Sequence, residues 1–225
     1  MNNWTPFIIF CFEILILYYF THITLQKIFQ VFHSFFHHNS FVNALISLVL
    51  LPGTIVHEMA HFIMASILLL KVDHIEIFPK WNDKEIKLGS VQYHKKDIIR
   101  GFFVGIAPLF LGFIILRILL MYIPFPNSNS LNDILFCYIL FIITLTMFSS
   151  YTDLQDAIYA IPLMVILYCI YVLYGSQFIL SFNSNAVLHY INSSIIQPLN
   201  FVLLIAIIIH ICFSMIINIF TIKII

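Results

Sequence analysis

Residues 57–61 read His57-Glu58-Met59-Ala60-His61, and their types and spacing suit metal-assisted chemistry. Four residues separate the two imidazoles. On a helix they lie on one face, one turn apart, able to grip a single metal ion through ring nitrogens. Glu58 stands about 100° around the helix axis from His57, close enough to reach a water at the metal without being forced to ligate it. Zinc in such a site acidifies water to a pKa near 7, and the glutamate accepts the proton as a carbonyl is attacked.

The motif sits inside 51-LPGTIVHEMAHFIMASILLL-70, a run that is otherwise almost wholly apolar. An ionisable side chain at the centre of a membrane helix costs roughly 2.5–3.5 kcal/mol on insertion scales. Three polar groups within five residues are therefore better explained by a metal site than by coincidence. A catalytic zinc usually takes three protein ligands and leaves a fourth position open, so one ligand must come from elsewhere. The stretch 149-SSYTDLQDAIYAIP-162 offers two acidic residues between apolar runs. Asp153 is the first candidate and Asp156 the alternate, although either could instead cap the helix that follows. Glu13, in the middle of the first apolar run, could pair with a polar group of the site or face a helix interface. His210 is expected to hydrogen-bond between helices and not to ligate.

These residues need a scaffold, and the composition says which kind. The chain has 225 residues, 62% of them hydrophobic and 9% charged, with a mean hydropathy of +1.03. Soluble domains carry about 25% charged residues. A chain this apolar is expected to be an integral membrane protein. Its formal net charge is zero, which gives no electrostatic basis for nucleic-acid binding. The four cysteines lie singly in apolar runs, with neither a disulfide framework nor a zinc ribbon in view. The first twenty residues lack a basic leader and a small-residue cleavage site, so they are expected to form a retained first span.

Spans of roughly 20 apolar residues are expected near 6–25, 41–70, 101–123, 133–150, 157–174 and 199–220. The second is too long for one straight crossing, and Pro52-Gly53 within it predicts a kink or a re-entrant piece. The fourth and fifth could be two spans or one broken one. Segment 71–100 holds seven of the ten basic residues and should face the cytoplasm, with both chain ends on that side. Within it, VDHIEIFP and IKLGSVQY alternate around the turn-like WNDKE, which predicts a β-hairpin. The expected fold is an α-helical polytopic membrane protein of about six transmembrane helices. It has a small cytoplasmic β-hairpin insertion between the second and third. Residues 1–225 form one membrane domain, with a core at about 41–175.

Taken in order, these residues resemble the site-2 protease family of intramembrane zinc metalloproteases. The likeness rests on HEMAH in an early span, a β-rich insertion, the Gly/Pro-bearing 101-GFFVGIAPLFLG-112 and an Asp in a later span. Gly105 and Pro108 answer loosely to a G-P-x-x-N-like motif, without the Asn. Ser149 to Asp153 stands where the family usually has Asp followed by Gly, so the pattern is that of a divergent bacterial branch. The resemblance implies one zinc ion per chain held by His57, His61 and Asp153 (or Asp156), with Glu58 catalytic. It implies cleavage of peptide bonds in or beside the transmembrane segments of other proteins. The location it implies is a bacterial cell membrane, with the active site towards the cytoplasm and the lipid bilayer and a membrane-borne peptide as partners. Two other classes stay open: a zinc or divalent-metal transporter, some of which carry a similar motif, and a catalytically inactive membrane scaffold.

Overall fold

The computed structural model describes residues 5–35, 39–76, 80–82, 85–87, 89–123, 125–126, 130–148 and 189–222. Helix α1 spans Thr5–Phe35 and α2 spans Asn39–Ile67. Four short strands follow: β1 Val72–Glu76, β2 Lys80–Asn82, β3 Glu85–Lys87 and β4 Ser90–Tyr93. Helix α3 is Ile98–Tyr122, α4 is Ser130–Thr146, and α5 is Gln197–Ile222, entered through a π-helical turn at Asn192–Ile196. Four of these segments are long and apolar enough to cross a membrane: Thr5–Phe32, Ala44–Ile67, Ile98–Tyr122 and His189–Ile219, with Ser130–Thr146 shorter. The expected span at 157–174 lies outside the described residues.

Pro52 does not divide α2. The helix runs through it for 29 residues, about 43 Å at 1.5 Å per residue against a hydrocarbon core of about 30 Å. Tilt absorbs such an excess, and the Thr54 hydroxyl donates to the Leu51 carbonyl at 2.9 Å beside the proline. Helix α1 also outruns its expected end at residue 25, because its last turns have partners. Lys27 Nζ donates to Ser214 Oγ at 2.6 Å and to the Ser214 carbonyl at 3.2 Å. Lys27 is thus held inside the bundle and is no guide to orientation.

Helix senses follow from the paired residues. Pro6 meets Asn200, Thr24 meets His210 and Lys27 meets Ser214, so α1 and α5 run in the same direction. The expected six-span count draws on residues outside the described ones; among the described residues four helices reach membrane-spanning length, and α1 and α5 share one sense. Helix α3 runs antiparallel to α2, whereas α4 runs parallel to it, with Val49 near Tyr138 and His57 near Thr146.

The main core joins α1, α3, α4 and α5 around Leu17, Leu116, Phe136, Leu140 and Leu203. A second cluster (Ile28, Val42, Ile46, Leu50, Ile142) packs the far half of α2 against α1 and α4. Polar pairs cross the same interface. His210 is fully buried, with Nδ1 3.2 Å from Thr24 Oγ1 and Nε2 3.1 Å from Thr144 Oγ1. Thr144 spends its hydroxyl proton on the Leu140 carbonyl at 2.7 Å, so His210 Nε2–H donates to it and Nδ1 accepts from Thr24. Both ring nitrogens are consumed, as expected of an interhelical hydrogen-bonder. Cys11 and Cys212 are exposed on outward faces of their helices.

The insertion forms the expected hairpin in two storeys. Strand β1 pairs antiparallel with β4, Glu76 opposite Ser90, and β2 pairs with β3, Asn82 opposite Glu85. The turn is tighter than WNDKE suggested, since Trp81, Asn82 and Glu85 belong to the ladder. A third small cluster ties the hairpin to the helices. Ala65, Leu70 and Val104 pack with Val72 and Tyr93.

Helix α2 ends in a Schellman motif, with Leu70 N–H on the Ala65 carbonyl and Leu69 N–H on that of Ser66. Leu69 occupies the left-handed position, φ 54°, where glycine is usual, and its side chain is 80% exposed. Leu69→Gly should therefore relieve backbone strain without losing packing. It is expected to stabilise the protein by about 1 kcal/mol, read as a higher thermal midpoint in detergent.

Candidate metal centre

The apolar flanks that make α2 long and apolar enough to span a membrane also fix how far its polar residues lie from the helix end. His61 lies six residues before Ile67 and His57 ten, about 9 and 15 Å from the end of the helix nearest the hairpin. Glu58 and His61 are both buried. The helical register stacks the two imidazoles edge to face, ring centroids 4.8 Å apart at 78°.

Each ring is held from behind by a different helix. His57 Nδ1 is 2.7 Å from the carbonyl oxygen of Thr146, and His61 Nδ1 is 2.8 Å from that of Val104. A carbonyl can only accept, so both Nδ1 atoms carry the proton and donate. In the neutral rings both Nε2 atoms then present lone pairs. Those atoms face each other at 3.1 Å. Two lone pairs at that separation repel unless a cation lies between them, either a metal ion or a proton shared by the rings. Two nitrogens on one tetrahedral zinc, each roughly 2.0–2.1 Å away, stand about 3.3 Å apart. The pair therefore fits two corners of a zinc site.

Thr146 is the last residue of α4, so its carbonyl belongs to the final turn, which has no intrahelical donors. The same helix end carries partial negative charge, which favours a cation nearby. Gly53 lets α4 come this close. A Cβ built there would stand 2.5 Å from Thr146 Oγ1 and 2.7 Å from Ile142 Cγ2. Gly53 is one turn before His57 on the same face, a spacing visible in the sequence. Its reading there as part of a helix break is replaced by close helix contact.

Glu58 is covered by the hairpin. A Cβ at Gly89 would stand 2.6 Å from Glu58 Cγ and 2.7 Å from Oε1. The backbone entering β4 thus rests on the carboxylate. The sequence held a weak signal of this, since a glycine within a strand pattern often marks close approach.

Asp153 and Asp156 lie outside the described residues. Among the described residues, no group of three His, Cys, Asp or Glu could hold a metal. Glu13 is buried on the bundle side of α1, and among the described residues its Oε2 has no hydrogen-bond partner. The backbone carbonyls of Thr146 and Val104 could not be read from side-chain patterns at all.

Gly53→Ala tests the support of His57. The new methyl meets two β-branched side chains whose helical rotamers are stiff, so α4 must move. Metal affinity, measured by chelator competition, is expected to fall about tenfold, with a loss of about 1–3 kcal/mol from overpacking. No family model, no curated protein and no solved structure matches the chain.

Proposed function

We propose that the chain is an intramembrane zinc metalloendopeptidase of the site-2 protease kind, cutting peptide bonds in or beside transmembrane segments of other proteins. The observation that carries this reading is the pair of Nε2 atoms facing each other at 3.1 Å with both Nδ1 protons tied to backbone carbonyls, beside a buried glutamate. His57 and His61 supply two ligands, and the third is assigned to Asp153, with Asp156 as the alternate. Zinc, when bound, supplies Lewis-acid polarisation of water and of the scissile carbonyl.

Glu58 accepts a proton from the attacking water on a carboxylate oxygen and returns it to the leaving amine nitrogen. The products are one carboxylate and one amine, with no other reactant. Its burial beneath Gly89 keeps bulk water from that oxygen. A helical substrate hides its amides in hydrogen bonds and must unwind before it can be cut. The hairpin beside Glu58 offers strand edges on which an unwound segment can lie. Seven of the ten basic residues fall in this insertion, which supports a cytoplasmic face for the site.

The protein and its Glu58→Gln and His57→Ala variants are to be purified, assayed for zinc, and presented with single-span substrates. Parent and Glu58→Gln should hold one zinc each, with cleavage at least about 100-fold lower in the variant. His57→Ala should lose the metal. Metal flux in proteoliposomes without cleavage would instead favour a transporter. Zinc and cleavage both unchanged in His57→Ala would sink the ligand assignment.

A second variant probes the hairpin. Gly89→Ala must displace either the Glu58 carboxylate or the strand above it. Cleavage should fall by about 100-fold, the scale of a 1 Å misplacement, with zinc retained. Cleavage equal to the parent would mean that the strand does not rest on Glu58 during turnover.

A further inference from the structure

The acceptor for His61 lies within α3, in its second turn, where a helical carbonyl is ordinarily engaged by the N–H four residues on. Four residues after Val104 comes Pro108, inside the same helix. Proline has no N–H, and its ring pushes against the carbonyl of residue i−4. The Val104 carbonyl is thereby released from the α3 ladder at the point where His61 Nδ1 donates to it at 2.8 Å. Val104 itself is fully buried, and Pro108 is buried too. No water need be invoked as the alternative partner.

The geometry points to Pro108 as a positioning residue for the metal centre, acting through the Val104 carbonyl on the tautomer and orientation of His61. The inference rests on the metal-site reading above and goes beyond it by giving the proline a role that is chemical as well as mechanical. With the N–H restored, the carbonyl is drawn back into the helix ladder and shared with the imidazole. His61 then loses an exclusive acceptor. Its Nδ1–H/Nε2 lone-pair state and its aim at His57 Nε2 are both less well held. Outer partners of ligating histidines typically change metal affinity by 10–100-fold when removed.

The other helix proline provides the control. Pro52 also lies inside its helix, but the carbonyl it releases is that of Leu48, to which neither His57 nor His61 donates. The test uses the full chain in detergent with zinc alone, and cobalt as a spectroscopic substitute, in the parent, Pro108→Ala and Pro52→Ala. Thermal midpoints establish that all three are folded. Pro108→Ala is expected to bind zinc at least about tenfold more weakly and to shift the cobalt ligand-field bands, while Pro52→Ala matches the parent in both.

Equal affinities and spectra for Pro108→Ala and the parent would overturn the inference and leave the metal reading intact. An equal loss in both variants would also overturn it, since that is what general helix straightening produces. A parent that binds neither metal would sink the metal reading itself, and the inference with it.

Discussion

An imidazole that offers its Nε2 lone pair must place its Nδ1 proton somewhere, and in a packed helix interface that proton needs a protein acceptor. The carbonyls of α2 are largely committed to its own ladder. The acceptors for His57 and His61 therefore have to come from other helices, and from carbonyls those helices do not need. The end of α4 supplies one, at Thr146, and the interior of α3 supplies the other, at Val104. Much of the packing around α2 serves this requirement.

Two close approaches bring the acceptors into reach. Gly53 lets α4 lie against α2 beside Thr146, and Gly112 lets α3 close on Met147 just after α4 ends. A side chain at either glycine would hold the backbones apart. The cluster of Ala65, Leu70 and Val104 then closes the hairpin side, and Val72 and Tyr93 extend it into the strands. One small apolar cluster thus links the His61 support to the element that covers Glu58.

Away from this centre a second polar layer holds α1 to α5. His210 bridges Thr24 and Thr144, Lys27 binds Ser214, and Asn200 donates to the Pro6 carbonyl at 3.0 Å. His210 and the two motif histidines are all buried or half-buried, yet they are set up in opposite ways. His210 has both nitrogens engaged by hydroxyls and no lone pair to give, whereas His57 and His61 keep Nε2 turned towards each other. Side-chain partners, more than burial, separate His210 from the two motif histidines.

Local periodicity was enough to place His57 and His61 on one face of an apolar helix, because a four-residue spacing is a property of the helix itself. Hydropathy located four membrane-length apolar helices for a similar reason, and alternation located the hairpin. Helix sense depended on long-range pairs such as Lys27 with Ser214 that no local pattern encodes. Whether Pro52 would break α2 depended on its neighbours, and they left the helix whole.

The sequence by itself determined that two imidazoles and a carboxylate would share one turn of a membrane-length helix. Only the tertiary structure decided which way the imidazoles present their protons, because that depends on backbone carbonyls contributed by helices 43 and 89 residues away. Those acceptors belong to the peptide backbone, and nothing in the side chains of Val104 and Thr146 marks them.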